Sequence, residues 1–262
     1  MVGKTGNSDR IRTNLLKSSE KKNENIQRLA SGKKVNKASD NPAALAMIMA
    51  MESQTRGLQK QISNRLDEIS LMQTAEDSLD VTGEMLQRIN ELSVQASNGT
   101  LTDNQRKSIQ FEIDQLSQQI DMTADNTTFN TKNLLDGSLK MQLQGGDNLE
   151  IEAMNSQALG ISGIDVTTQS GAQAAISRVS SAISQVTSTR SSLGSIINGV
   201  THQVNNLNQE FVNTIASQSR IQDTDMAAEI IKLNNNQIMT SANLKVFNLQ
   251  EEARKTVLSL IS

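Results

Sequence analysis

A seven-residue repeat of apolar side chains in the last third of the chain places the strongest constraint on its fold. From Ile176 to Phe211 these side chains recur in alternating steps of three and four residues, and only Arg190 interrupts the series. Such a repeat puts a narrow apolar stripe along one side of an α-helix, and that stripe is buried only against other helices. The chain is therefore expected to form long helices that pack side by side.

A second apolar stripe runs to the end of the chain in a different phase. Chain ends usually fray into solvent, so a terminus this apolar needs a partner. We predict that this stripe packs against other molecules, and its members are candidate assembly residues. They are Ile238, Ala242, Val246, Leu249, Ala253, Val257, Leu258, Leu260 and Ile261.

Composition narrows the function classes further. The 262 residues include no Cys, Trp or Tyr, and the formal net charge is −3. The lack of Cys excludes disulfides and zinc–cysteine sites. A nucleic-acid binder would carry a basic excess. No apolar run resembles a signal peptide or a membrane span. We expect no contact with nucleic acid or membrane and no cleavable signal peptide.

The distribution of helix breakers and caps gives the predicted organisation. Asn98-Gly99 reads as a helix stop, and two alternating stretches around a Gly-rich turn read as one β-hairpin. The fold class is all-α, an elongated antiparallel helical bundle or coiled coil with one small β-hairpin at its tip. The predicted domains are an N-terminal helical segment 1–41, a rod-like domain 42–215 and a C-terminal helix 216–262. Within them we expect helices at 9–31, 42–98, 103–126 and 171–215, and the hairpin at about 138–154.

Helix starts are predicted from capping side chains. Ser39, Asp40 or Asn41 can cap the helix that begins at Pro42, where a missing N–H does no harm. Thr102 or Asp103 can cap the next helix.

A search for reactive groups finds no site for catalysis, a cofactor or a metal. His202 is the only histidine and is expected on the polar flank of a helix. Asp223 and Asp225 could serve acid–base chemistry, but the capping of a helix near Met226 is the preferred interpretation. Three methionines, at positions 47, 49 and 51, could form a soft ligand set or a binding face. The preferred interpretation is that these side chains serve in packing. We predict that the protein is not an enzyme.

Two stretches near the ends carry a family resemblance. The segment Ile26-Gln-Arg-Leu-Ala-Ser-Gly, continuing to Asp40-Asn-Pro-Ala-Ala, is similar to the N-terminal signature of bacterial flagellins. The segment Ser219-Arg-Ile-Gln-Asp-Thr-Asp-Met-Ala-Ala-Glu229 resembles their C-terminal signature. The resemblance implies a near-minimal flagellin with inner-core and outer-core segments only. In such a protein the terminal segments pair as an inner coiled coil, and they order only when subunits assemble.

The resemblance also implies a function and partners. It predicts a structural subunit that self-assembles into the helical filament of the flagellum for motility. Other implied partners are a flagellar export chaperone, cap and junction proteins, and the flagellin-sensing Toll-like receptor. The implied location is extracellular, after export by the flagellar type III route. The alternative is a hook–filament junction protein, which shares the terminal segments.

Two further stretches, 86–95 and 108–112, resemble the surface that the Toll-like receptor contacts. The matching positions are Arg88, Leu92 and Glu112. In a filament the same surface is implied to be a contact between subunits, and the two roles are compatible.

Overall fold

The computed structural model of the protein describes residues 5–144, 146 and 148–259, with side-chain surroundings from residue 9 onward except at position 258. Within those residues the chain is all-α with two short antiparallel strand pairs, which confirms the predicted fold class. The elements in chain order are α1 Thr5–Ser31, α2 Pro42–Ala96, α3 Asp103–Asn126, β1 Thr128–Phe129, β2 Lys132–Asn133, β3 Lys140–Gln142, β4 Asn148–Glu150, α4 Gln169–Gln222 and α5 Met226–Ser259.

Polar side chains set the helix starts, as predicted. The N–H of Ala44 donates to Asn41 Oδ1 at 3.0 Å, so Asn41 caps α2. Thr102 caps α3 in a reciprocal capping box with Gln105. Helix α4 extends to Gln222, beyond the predicted end at 215. The end of the first apolar stripe therefore does not end the helix.

The chain forms two compact units, of which one comprises Leu58–Gln209. Its core is built from one side of α2, α3 and α4 together with the strands and loops between α3 and α4. Fully buried members include Met72, Leu79 and Leu86 of α2, Ile113 and Ile120 of α3, Val179 of α4, and Leu134, Leu149 and Ile151 between them. Burial of these apolar side chains is the main force that holds the three helices together.

Charged side chains join the helices of this unit outside the apolar core. Arg190 breaks the apolar repeat of α4, and it pairs with Glu76 at 2.9 Å and Asp80 at 2.6 Å. The hydrogen bond to Glu76 raises the pKa of Arg190. The interruption in the repeat is therefore an ionic contact between α4 and α2.

The predicted hairpin is present, and a second strand pair was missed. Strands β3 and β4 pair with Met141 opposite Leu149, and Leu149 is buried in the core. Strands β1 and β2 are joined by Asn130 and Thr131, which have φ of 48° and 66°. A two-residue turn of this kind usually has Gly at its second position, and Thr is unfavourable there. The sequence signal for this turn was therefore weak.

The other unit comprises Met1–Gly57 and Glu210–Ser262, and in its described part α1 packs against α5. The helices are antiparallel, because Arg28 near the end of α1 lies by Glu229 at the start of α5, whereas Ser18, earlier in α1, contacts Thr240. Asp225 caps α5 by accepting a hydrogen bond from the N–H of Ala228 at 3.1 Å, as predicted.

Candidate assembly surfaces

One side of α5 is apolar and exposed. Nine large apolar side chains of this 34-residue helix are at least 43% exposed. Six of these side chains, together with two exposed alanines, define the α5 outer face: Ile231, Ile238, Met239, Ala242, Val246, Leu249, Ala253 and Val257. A single exposed apolar residue is ordinary, but a contiguous apolar face marks a site of association.

The structure places most of the predicted assembly residues on this face. Ile238 is 66% exposed and Leu249 is 64% exposed, so neither is covered by α1. The side chain of Leu258 and the whole of Leu260 and Ile261 lie outside the described residues. Their contribution to assembly stays a prediction.

The two signature stretches meet where α1 ends and α5 begins. The N–H of Lys34 donates to the carbonyl of Gln222 at 2.6 Å, and the N–H of Thr224 donates to the carbonyl of Gly32 at 3.0 Å. Asp40 accepts the backbone N–H groups of Asn36 and Lys37, and these bonds lower its pKa. The backbone of each signature therefore fixes the connection between helices of this unit.

A buried carboxylate completes this junction, and the sequence did not reveal it. The side chain of Glu229 is 2% exposed, with Lys232 Nζ at 3.1 Å and Arg28 Nη1 at 3.8 Å. A carboxylate is rarely buried without partners of opposite charge. Arg28 and Glu229 each lie within one of the two signatures, and that shared location was the available signal for their contact.

The predicted receptor positions are only partly brought together. Arg88 donates to Glu112 at 2.8 Å and to Glu91 at 3.2 Å. Both hydrogen bonds raise the pKa of Arg88, and the bond to Glu112 has the larger effect. Leu92 is 2% exposed and belongs to the core, so its side chain does not lie on this surface. Phe111, which the sequence reasoning did not select, is 67% exposed on α3. We call Arg88, Glu91 and Glu112 the α2–α3 patch.

The remaining candidate groups have simple positions. His202 is exposed on α4. Met51 is half-buried, whereas Met47 and Met49 are 52% and 63% exposed, so these two side chains are not packed within this chain. Across the described ranges, no cluster of three or more His, Asp or Glu side chains could share a metal ion. Within the same ranges, none of the helices combines the length and apolar content needed to cross a bilayer.

The fold and the α5 outer face define a class: all-α proteins whose last described helix has an exposed apolar face. Comparison with known families makes the assignment specific. A family profile described as the bacterial flagellin N-terminal helical region matches residues 4–140, and one described as the C-terminal helical region matches residues 176–261. The chain belongs to the bacterial flagellin family.

Individual relatives agree with this assignment. Flagellin of Halalkalibacterium halodurans is 34% identical over 245 residues, covering 90% of this chain and 90% of the relative. Flagellin of Bacillus subtilis is 35% identical over 278 residues, covering 90% of this chain and 91% of the relative. The crystal structure of Bacillus cereus flagellin superposes with a TM-score of 0.50 at 28% identity, covering 55% of this chain and 88% of that one.

A hook-associated protein shares the fold at lower identity. The structure of the one from Vibrio parahaemolyticus has a TM-score of 0.61 at 14% identity, covering 70% of this chain and 100% of that chain. The broad, higher-identity matches are flagellins. They favour a filament subunit over the alternative junction protein.

Proposed function

We propose that this protein is a structural subunit that self-assembles into the helical filament of the bacterial flagellum, and that the α5 outer face is packed between copies. One observation carries the proposal: large apolar side chains of α5 point away from α1 and lie exposed. Contacts between different surfaces of identical copies that do not close a ring produce a helical polymer. Burial of the α5 outer face supplies the free energy for such contacts.

The test is to place a charge on this face and, separately, beside it. Leu249→Asp removes an apolar side chain and buries an unpaired carboxylate if the face is covered. The lost burial alone costs about 1.5–3 kcal/mol for each contact, and each 1.4 kcal/mol is about a ten-fold change in association. Electron microscopy and sedimentation should then find no filaments at concentrations where the wild type polymerises.

Asn248→Asp is the matched control, because it adds the same charge at the neighbouring, exposed and already polar position. It should polymerise nearly as the wild type does. Normal filament yield from Leu249→Asp would exclude burial of the α5 outer face between copies.

We also propose the division of the chain that the family resemblance implies. Segments 1–41 and 216–262 would form the inner core of the filament, and 42–215 the outer core. Removal of residues 238–262 should then abolish polymerisation and leave the core of the Leu58–Gln209 unit folded, because that core contains no residue of α5. Filaments formed by the shortened chain would contradict the division.

We further propose export through the flagellar type III route to the extracellular filament, with an export chaperone, cap and junction proteins as transient partners. Family membership supports this route. So does the lack of Cys, since no cross-link has to be broken before an unfolded chain passes through a channel. Secretion that persists in cells lacking the flagellar export apparatus would refute it.

The α2–α3 patch is proposed as a contact between subunits and as the surface that the Toll-like receptor recognises. Arg88 and Glu112 are about half-exposed and already paired, which suits a charged surface of fixed geometry. Exchanging them in the double variant Arg88→Glu with Glu112→Arg keeps this ion pair with its polarity reversed, but loses the exposed bond from Arg88 to Glu91. Receptor signalling should fall more than ten-fold, while the melting temperature should fall by no more than about 2–4 °C, because an exposed pair contributes about 1 kcal/mol or less. Unaltered signalling would place the receptor elsewhere.

A further inference from the structure

The turn just after α2 contains one of the two Asn-Gly pairs in the chain. It is Asn98-Gly99, which lies between α2 and α3 and outside any helix. The other pair, Asn198-Gly199, lies in the interior of α4. Both asparagines are exposed, so water reaches either side chain. The two pairs therefore have the same residues and the same exposure, and they differ in backbone conformation.

An asparagine that precedes a glycine can be converted to an acid by its own backbone. The glycine nitrogen loses its proton to a base in the solvent and attacks the asparagine Cγ, and the absence of a Cβ on glycine permits this close approach. A bond forms between that nitrogen and Cγ, the bond from Cγ to Nδ2 breaks, and Nδ2 takes protons from water and leaves as ammonia. Water then opens the cyclic imide at either carbonyl and produces aspartate or isoaspartate. The net reaction consumes water and releases ammonia, with no change of oxidation state.

The attacking nitrogen is free at the first pair and engaged at the second. Among the residues that the structure describes, none accepts a hydrogen bond from the N–H of Gly99. In α4 the N–H of Gly199 donates to the carbonyl four residues earlier, as the helix requires. Attack at Asn198 therefore requires the helix to open locally first.

Thr100 provides two donors to the atom that gains negative charge during the attack. Its N–H donates to Asn98 Oδ1 at 3.1 Å, and its Oγ1 donates to the same oxygen at 3.0 Å. When the Gly99 nitrogen bonds to Cγ, this oxygen becomes an oxyanion, and donors already in position stabilise it. The bond to the N–H of Thr100 also folds the Asn98 side chain back across Gly99. The turn thus holds the two reacting groups together.

Asp136-Gly137 shows the same arrangement around a side chain that cannot react in this way. Ser138 Oγ and the N–H of Ser138 donate to Asp136 Oδ1 at 2.6 Å and 2.8 Å. These hydrogen bonds lower the pKa of Asp136, so its carboxylate stays ionised at neutral pH. A carboxylate repels a nucleophile, whereas the amide of Asn98 is neutral. Asp136 is therefore an internal control for the chemistry at Asn98.

We propose that Asn98 is a site of spontaneous deamidation assisted by its turn, and that the isoaspartate product breaks the contact of this turn with Arg106. One Nη of Arg106 donates to the carbonyl of Asn98 at 3.1 Å. In isoaspartate the main chain runs through Cβ and Cγ, so the carbonyl that precedes Gly99 is displaced from this donor. The connection between α2 and α3 therefore weakens as the protein ages. The reaction needs only water, and it does not depend on the proposed function.

The test follows both asparagines in the same full-length chain. The protein is incubated in mildly alkaline buffer and digested at low pH, and the peptides that contain residues 98, 136 and 198 are measured by mass spectrometry. Deamidation of Asn98, with aspartate and isoaspartate both formed, should be at least about ten-fold faster than that of Asn198, because α4 must first open. The rate should rise with pH, and residue 136 should yield no isoaspartate. Equal rates at the two asparagines, or an intact Asn98, would overturn the proposal.

Variants of the turn test the contribution of each neighbour. In Gly99→Ala the nearest atom to the added Cβ is Gln169 Nε2 at 3.9 Å, an ordinary contact, so the fold should tolerate it. Deamidation should slow by about ten-fold or more, because the Cβ obstructs the attack. Thr100→Val removes the hydroxyl donor and should slow the reaction by about three-fold, less than in a buried site because water competes. Thr100→Ser keeps the donor and should react at the wild-type rate. Equal rates in Thr100→Val and the wild type would refute assistance by the turn.

The structural consequence is measured on aged protein. Ion exchange separates chains that have gained the negative charge, and the isoaspartate fraction should melt at a lower temperature than the intact chain. Asn98→Asp is the matched control, because it adds the charge without changing the path of the main chain, and it should melt close to the intact chain. An isoaspartate fraction that melts with the intact chain would refute the loss of the Arg106 contact.

Discussion

Arg106 closes the turn between α2 and α3, and its removal should be costly. Its side chain is 10% exposed. Its Nε donates to the carbonyl of Ala96 at 3.0 Å and one Nη donates to the carbonyl of Asn98 at 3.1 Å. Ala96 is the last residue of α2, where carbonyls have no partner within the helix. A cation there also interacts favourably with the helix dipole.

The expected cost of Arg106→Ala follows from these contacts. A hydrogen bond to a charged group contributes about 1.5–3 kcal/mol, and a carbonyl left buried without a donor costs about 1–3 kcal/mol. Because water can enter part of the vacated space, we expect a loss of about 3 kcal/mol. For a cooperative unit of 150–250 residues this lowers the melting temperature by about 6–12 °C. Arg106→Lys keeps the charge but loses the two-pronged geometry, so its loss should be intermediate.

Arg178 provides a matched control. It donates in the same way to two carbonyls, those of Gly160 at 2.7 Å and Ser162 at 2.9 Å, but it is exposed. After Arg178→Ala water can replace the guanidinium, and the loss should be about 1 kcal/mol or less. Urea and thermal denaturation of the monomer, followed by circular dichroism, give both values. Equal losses for Arg106→Ala and Arg178→Ala would refute the conclusion that burial makes this clamp strong.

Four further substitutions test three local features of the Leu58–Gln209 unit. Gly171→Ala would place a Cβ 2.3 Å from the carbonyl oxygen of Asp165 and should lower the free energy of unfolding by about 2 kcal/mol. In Gly194→Ala the new Cβ meets no atom within 4 Å, and the free energy of unfolding measured by denaturation should rise by about 0.5–1 kcal/mol. Thr131→Gly relieves the positive φ of 66° and should raise stability by about 1 kcal/mol in urea; a loss would show that the turn is unstrained. Hydrogen bonds from the side chain and N–H of Thr167 lower the pKa of Asp165, so the folded state resists its protonation. The wild type should therefore have a larger free energy of unfolding than Asp165→Asn above about pH 4, and this difference should disappear as the pH falls through the lowered pKa of Asp165. A difference that does not depend on pH would refute this.

The helices could be predicted because their signals are local. An apolar repeat and a capping side chain act within a few turns of the same helix, so the start of α3 at Asp103 and its cap Thr102 could be predicted from a short stretch of sequence. The turn at Asn130-Thr131 could not be predicted, because Thr is disfavoured at positive φ and only its surroundings hold it there. The apolar character of Leu92 was evident, but whether it faced the core depended on how α2 packs.

The α1–α5 pair shows why periodicity alone could not predict the site. Helix α5 carries two stripes in its sequence, an apolar one through Leu249 and a polar one through Thr240. The usual rule places the apolar stripe against the helix of the same chain. Here the partner helix α1 has Ser18 and Asn25 at buried positions. These side chains form hydrogen bonds with the polar stripe of α5, and such bonds exist only once the N-terminal and C-terminal helices are paired. The choice of face is therefore a property of the pair, and the apolar stripe stays exposed because α1 has too few apolar side chains to cover it.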